Sequence, residues 1–305
     1  MQENHQPREI RTYEHMARIV ETVIAPWARE QQITAVYGMP RKGMTAAAML
    51  ANVLDCALGG LDASGTPIIL AHGTTHPCCN IGKASLLLDE SVFTGQKLFA
   101  RSKQFANNFT NQHDVFTGTV FECRASHVKL NPNLCLDIVG ETIDIDRVVF
   151  PWDMWQHEET AYYMCDFDGV LCPDRDAVAI QDKTPEYVAW CQSAPPIRAI
   201  PHGIHSVCTW RESYMAETSR WWLGVHGIKT TQDINGSGLI CATRQNWASP
   251  ASYKAKIYME SDARLFVESD PQEAREMRRL LLHSLTRTTQ AGSKPVYCVA
   301  DGTLA

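Results

Sequence analysis

Twice in this chain an apolar run with no polar interruption ends abruptly on carboxylates. The first is Ser85-Leu-Leu-Leu-Asp-Glu90 and the second is Ala161-Tyr-Tyr-Met-Cys-Asp-Phe-Asp-Gly169. A strand that faces water on one side alternates apolar and polar residues, so an unbroken run predicts a strand buried on both faces, as in a parallel sheet covered by helices. The neighbouring segments agree. Ile33-Thr-Ala-Val-Tyr37 reads as a strand, runs through Gly38-Met-Pro-Arg-Lys-Gly43, and enters a helical stretch from Met44 to Leu58 closed by Gly59-Gly60. Ile10, Tyr13, Ala17, Val20, Ile24 and Trp27 lie at helical spacing before it. Residues 60–80, rich in Gly, Thr, Pro and Asn, read as a long loop, and another helix is expected from about Gly95 to Phe109.

The pattern breaks at Phe150-Pro-Trp-Asp-Met-Trp155 and at the polar run Gln156-His-Glu-Glu-Thr160. It then restarts with strands at 161–165, 204–208, 265–267 and 295–299 and helices near 185–194, 211–223 and 271–283. A length of 305 residues suits two domains. The expectation is an α/β protein of two doubly wound, mostly parallel-sheet domains, residues 1–155 and 156–305. Ligands of such sheets bind at the carboxyl ends of the strands. Asp89, Glu90, Asp166, Asp168, Thr209 and Asp270 all fall at predicted strand ends.

Charge narrows the partners. Lys and Arg number 28 against 34 Asp and Glu, for a formal charge of −6, whereas coating nucleic acid or an anionic membrane requires a basic face. No apolar run reaches the roughly 18 residues of a membrane span, and the polar start Met1-Gln-Glu-Asn-His is unlike a signal peptide. A soluble, cytoplasmic protein is expected, with no nucleic acid and no membrane among its partners. The eleven cysteines, scattered and without a CxxC pair, read as reduced thiols that fill cores. His72, His76, Cys78 and Cys79 match no zinc spacing.

The order of residues from Ser85 to Gly95 has a chemical reading. Two adjacent carboxylates at a strand tip can accept hydrogen bonds from the hydroxyls of a ribose and favour positive charge on the sugar. A Thr-Gly turn opening a helix then presents backbone N–H groups to a phosphate. Ser85-Leu-Leu-Leu-Asp-Glu-Ser-Val-Phe-Thr-Gly95 resembles the signature of type I phosphoribosyltransferases. The resemblance implies that Asp89 and Glu90 bind the ribose of phosphoribosyl diphosphate and that Ser91, Thr94 and Gly95 cradle its 5-phosphate. It implies further that Arg41 and Lys42 hold the pyrophosphate and that the segment 60–80 is a flap. His72, His76, Cys78 and Cys79 in that segment read as a polar loop with incidental thiols, and the side reading has His72 or His76 contacting the pyrophosphate. Phe93 stands where this family usually has Thr, and Lys97 where a small hydroxyl residue is common.

Cys165-Asp-Phe-Asp-Gly-Val-Leu171 after a strand resembles the first motif of haloacid-dehalogenase-like phosphatases. That resemblance implies Asp166 as the nucleophile that forms an aspartyl phosphate and Asp168 as general acid and base. Thr209 would be the second-motif hydroxyl and Lys254, with Lys256 as rival, the third-motif lysine. Mg²⁺ would be held by Asp166, Asp168 and Asp270, with Glu268 as the second choice for the last position. The runs Thr209-Trp-Arg-Glu-Ser-Tyr, Trp222-Leu-Gly-Val-His-Gly-Ile228, Leu265-Phe-Val-Glu-Ser-Asp270 and Lys294-Pro-Val resemble the phosphatase-like half of bacterial and phage fusions of the two families. The insertion from Cys172 to Pro201 leaves room only for a small cap, and Trp210, Trp221 and Trp222 are expected to pack in cores.

Together the resemblances imply a Mg²⁺-dependent bifunctional enzyme of nucleotide metabolism. One half would transfer a phosphoribosyl group from phosphoribosyl diphosphate to a base, and the other would hydrolyse a phosphomonoester, the nucleotide just made being the expected one. The alternative is a phosphatase whose first half only senses phosphoribosyl diphosphate or a nucleotide; a third class is an interaction module with both sites decayed. Transferases of this type often form dimers, which leaves a homodimer open.

Overall fold

Unbroken apolar runs become central strands when helices cover both faces, and each half of the chain shows this. The computed structural model describes residues 9–74, 84–110, 112–124, 130–145, 148–174, 184–232, 238–243, 246–285 and 294–304. The chain divides into two units, Met1–Phe150 and Pro151–Ala305.

In the first unit β1 (Glu9–Ile10) leads into α1 (Tyr13–Ile19), whose N-cap Thr12 accepts a hydrogen bond from the His15 N–H at 3.2 Å. A π turn over Val20–Ile24 joins α1 to α2 (Ala25–Glu30). Met16, Ile19, Val20, Ile24 and Ala28 form the buried stripe, which the wide turn carries onto Ala28 instead of the half-buried Trp27, while Tyr13, expected inside, is exposed in the first turn of α1.

Then come β2 (Ala35–Gly38), α3 (Gly43–Leu54), β3 (Ala57–Leu61), β4 (Pro67–Ala71), β5 (Ala84–Val92), α4 (Gln96–Ala106), β6 (Asp114–Cys123), β7 (Ile138–Ile143) and β8 (Val148–Val149). The helix α3 ends on Asp55 in the left-handed region (φ 51°), not on Gly59-Gly60, which lie inside β3. Part of the loop expected over 60–80 is instead a hairpin, β3 antiparallel to β4.

The sheet order is β4-β3-β2-β5-β6-β7, with every pair parallel except that hairpin, and β1 pairs in parallel with β8. From β2 the chain winds outward through β3 and β4, then returns to build β5, β6 and β7 on the other side. The switch point is therefore the carboxyl end of β2 beside β5. Tyr37 and Leu87 of the sheet pack against Leu98 and Phe105 of α4 in one core cluster.

The second unit holds β9 (Tyr163–Cys165), α5 (Pro185–Ser193), β10 (Ser206–Glu212), α6 (Ala216–Val225), β11 (Leu239–Ala242), α7 (Pro250–Glu260), β12 (Leu265–Glu268), α8 (Pro271–Leu285) and β13 (Val296–Cys298). Its five strands are all parallel in the order β11-β10-β9-β12-β13, so the switch point is the carboxyl end of β9, flanked by β10 and β12. Met164, Cys208, Phe266 and Val296 pack against Tyr258 of α7 and Met277 and Leu281 of α8. On α6 Trp222 is buried against Phe167 and donates its indole N–H to the Ala194 carbonyl at 2.7 Å. Trp210 packs half-buried beside Tyr253. Trp221, expected in a core, is 53% exposed, because it neighbours Trp222 on a helix whose buried face Trp222 takes.

The nine described cysteines are free thiols, seven of them buried. No described helix is long and apolar enough to cross a membrane.

Candidate active sites

In the first unit the loop 39–42 leaves β2 and is held against the neighbouring strand by the Met39 N–H, which donates to the Leu88 carbonyl at 2.9 Å. Gly43 allows this: a Cβ there would lie 2.6 Å from the Leu88 carbonyl oxygen and 3.0 Å from the Asp89 Cα. The start of α3 thus comes close to the acidic tip of β5, and Lys42 Nζ lies 3.9 Å from Glu90 Oε1.

Glu90 is buried and Asp89 partly so. Burial raises the Asp89 carboxyl to about 6, against the hydrogen bond from the Glu90 N–H and the charges of Lys42 and Lys97. Ser91 is partly buried and Thr94 exposed, and Gly95 caps α4 with φ 71°. The Thr94 carbonyl accepts the Asn131 N–H at 2.8 Å, tying the turn to the segment before β7.

The structure therefore gathers Lys42, Asp89 and Glu90, with Lys97 near enough to act on Asp89. Arg41 lies exposed on the same loop. His72 is exposed after β4, while His76, Cys78 and Cys79 fall outside the described residues.

In the second unit Asp166 follows β9 directly. Gly169 turns the chain at φ 73°, and a Cβ there would lie 2.4 Å from Ser269 Cβ, so the turn presses on the end of β12. Lys254 projects from α7 into this point, 1% exposed, and donates to Asp166 Oδ2, Glu268 Oε2 and Glu273 Oε2 at 2.7 Å each. Lys256, two residues on, points elsewhere: it is largely exposed and 4.0 Å from Glu260.

Burial pulls the Lys254 ammonium toward neutrality, and Asp166, Glu268 and Glu273 overrule it, holding it well above the ordinary lysine range. Burial raises the Asp166 carboxyl to about 7 despite Lys254, with Glu268 and Asp168 adding to the rise. Thr209, buried on β10, accepts the Arg211 N–H at 3.2 Å.

Sequence reasoning did not single out Arg211, Glu273 or Ser269. Arg211 donates through Nε to Asp168 Oδ2 at 3.0 Å and through Nη2 to Asp168 Oδ1. A signal for it was present, since Thr209 and Arg211 stand two apart at a strand end. The Ser269 hydroxyl donates to the Asp168 carbonyl at 3.0 Å. Asp270, expected at the metal, accepts the Gln272 and Glu273 N–H groups at 2.6 and 2.9 Å and so caps α8.

The carboxylates of this site are of the hard type that magnesium prefers, but most of their oxygens already accept hydrogen bonds. Asp166 accepts Lys254 and the Phe167 N–H, Asp168 accepts Arg211, and Asp270 accepts the first amides of α8. Among the described residues no three acidic, histidine or cysteine side chains are placed to share a metal ion. As folded, this set does not make a magnesium cage.

No protein-family model matches the chain, and no curated protein does. Among solved structures it is similar to a purine phosphoribosyltransferase from Pyrococcus horikoshii, at 18% identity over 48% of this chain and 93% of that one, with a TM-score of 0.34. A hypothetical protein from Neisseria gonorrhoeae with bound ppGpp is 19% identical over 49% of this chain and 92% of that one, with a TM-score of 0.35. The Helicobacter pylori xanthine-guanine-hypoxanthine phosphoribosyltransferase is 15% identical over 48% and 92%, with a TM-score of 0.35. Likenesses this distant decide nothing about activity, which has to be read from the chain's own residues.

Proposed function

We propose that the second unit hydrolyses phosphomonoesters through an aspartyl phosphate, and that the first binds phosphoribosyl diphosphate and transfers its phosphoribosyl group to a base. One observation carries the reading: Asp166, a buried carboxylate at the switch point of a parallel sheet, 2.7 Å from a buried ammonium and two residues from a second carboxylate. An Asp166 oxygen attacks phosphorus and the bond to the ester oxygen breaks. Asp168 supplies the proton that the leaving oxygen needs. Water then attacks the aspartyl phosphate, gives its proton to Asp168, and releases inorganic phosphate with Asp166 restored. Lys254 offsets the charge of Asp166 throughout, and the Thr209 hydroxyl is available to the phosphoryl oxygens.

In the first unit Asp89 and Glu90 accept the ribose hydroxyls, Lys42 and the exposed Arg41 take the diphosphate, and the turn from Ser91 to Gly95 takes the 5-phosphate. The base nitrogen forms its bond to the ribose carbon as the bond to pyrophosphate breaks. The test follows pyrophosphate and phosphate separately, with phosphoribosyl diphosphate, a panel of bases and a phosphomonoester, with and without magnesium. Asp166→Asn is expected to abolish phosphate release and spare pyrophosphate release, and Asp89→Asn the reverse. Binding of phosphoribosyl diphosphate without pyrophosphate release from any base would leave the first unit a sensor. Phosphate release unaffected by Asp166→Asn would end the phosphatase reading.

A further inference from the structure

The guanidinium of Arg211 is fixed on every side. Its fork takes both oxygens of Asp168, Nη1 donates to the Ser219 hydroxyl of α6 at 3.1 Å, and Nη2 reaches Cys172 Sγ at 3.6 Å. Its Cζ stands over the Phe167 ring, 3.8 Å from the ring centre. Arg211 is 2% exposed and Ser219 fully buried, whereas the Asp168 side chain keeps 27% exposure. The arginine is therefore walled off and the carboxylate it holds is open.

The strand is irregular where this happens. The pairing of β10 with β11 slips between Thr209 and Glu212, a bulge of the kind that re-aims a side chain beside a site. A carboxylate on the turn after a short strand has few restraints of its own. Here the Cys172 thiol of the same turn donates to Asp168 Oδ1 at 3.4 Å, and the bidentate restraint comes from Arg211 on a different strand, itself tied to a different helix.

We propose that Arg211 is the positioning residue of Asp168, aiming its carboxylate at the leaving oxygen of the phosphomonoester. The inference rests on the phosphatase reading above. It assigns Arg211 no contact with substrate: the fork is spent on Asp168, and a planar bidentate partner fixes direction in a way that a lysine point charge does not.

The test compares two substrates whose leaving groups differ in their need for a proton. A nitrophenolate departs as an anion, whereas an alkoxide must be protonated as its bond to phosphorus breaks. If Arg211 aims Asp168, Arg211→Gln lowers kcat/KM, which reports expulsion of the leaving group and not the later hydrolysis of the shared aspartyl phosphate, about 100-fold for glycerol phosphate, the scale of general acid catalysis, and by no more than about fivefold for p-nitrophenyl phosphate. Asp168→Asn gives the same selective loss, and the double variant is no worse than Asp168→Asn alone. Arg211→Lys, which keeps the charge without the fork, shows the same selectivity at reduced size, and Ser219→Ala shifts the ratio in the same direction with the fork intact.

Equal losses of kcat/KM on both substrates, or additive effects on kcat/KM in the double variant, would overturn the inference, each pointing to direct phosphate binding or to a structural role. A wild-type chain that releases phosphate from neither ester, or an Asp166→Asn variant as active as wild type, overturns the phosphatase reading itself and the inference with it. Both failures are distinct from a chain in which Asp166→Asn is inactive but the leaving-group ratio ignores Arg211.

Discussion

At Lys254 three carboxylates converge to 2.7 Å on one ammonium that water does not reach. A buried cation of this kind is held by its partners, and they are held by it: removing it leaves Asp166 and Glu268 with uncompensated charge in a dry place and the half-buried Glu273 without its partner. Lys254→Ala is therefore expected to destabilise the second unit by about 3–5 kcal/mol, and the exposed Lys256→Ala by no more than about 0.5 kcal/mol, measured as shifts of the denaturation midpoint. Equal effects would mean that the convergence contributes nothing. Asp89 has the opposite economy. Its carboxyl is raised to about 6 in the fold, above its value in an unfolded chain, so the folded state binds the proton more tightly. The stability this adds is fully present below about pH 4 and is lost as pH rises through 6. Asp89→Asn keeps an acceptor for the Glu90 N–H but carries no charge. It should raise the Tm of the first unit by a few degrees at pH 7.5 and leave it nearly unchanged near about pH 3, where Asp89 is largely protonated in both states.

Three helices of the second unit begin with proline at the first position and a capping side chain just before it. Thr184 precedes Pro185, Ser249 precedes Pro250, and Asp270 precedes Pro271. The third case changes the meaning of a residue, because a carboxylate two residues past a strand end reads as a ligand until the helix behind it claims its oxygen. Asp270→Ala should cost about 1 kcal/mol and Asp270→Asn only a few tenths, since asparagine caps as well as aspartate. If Asp270→Asn leaves stability alone and yet abolishes phosphate release, Asp270 is serving the reaction and not only the helix. The same pattern explains how much of the chain was legible. The strand-end acids are visible because β5 and β9 are unbroken apolar runs. The choice between Lys254 and Lys256 is invisible at spacing alone and becomes readable once Ser249-Pro250 is seen to open α7, which places residues two apart on different faces. Arg211 was hidden by Trp210 between it and Thr209, a residue whose bulk draws attention to packing. Beyond α1 the π turn over Val20–Ile24 inserts a residue that no periodicity announces, which brings Ala28 rather than Trp27 fully inside.

Over the whole chain the two sheets repeat one plan. In each, the first strand after the leading segment stands at the centre, the chain winds outward and then returns to the other side, and the acids lie where the winding reverses. If both sites act as proposed, joining them has a thermodynamic consequence that needs no contact between the units. Transfer of a phosphoribosyl group to a base is reversible, and its nucleotide product is a phosphomonoester, the substrate class of the second site. Hydrolysis removes that product irreversibly and draws the transfer forward. With a base and phosphoribosyl diphosphate supplied, the wild-type chain should release phosphate in step with pyrophosphate and accumulate nucleoside. The Asp166→Asn variant should stop at the transfer equilibrium and accumulate nucleotide, and adding an unrelated phosphatase to it should restore the yield. Turnover of nucleoside 5-monophosphates by the second site no faster than turnover of a generic aryl phosphate would break the link, leaving two activities that share a chain and nothing else.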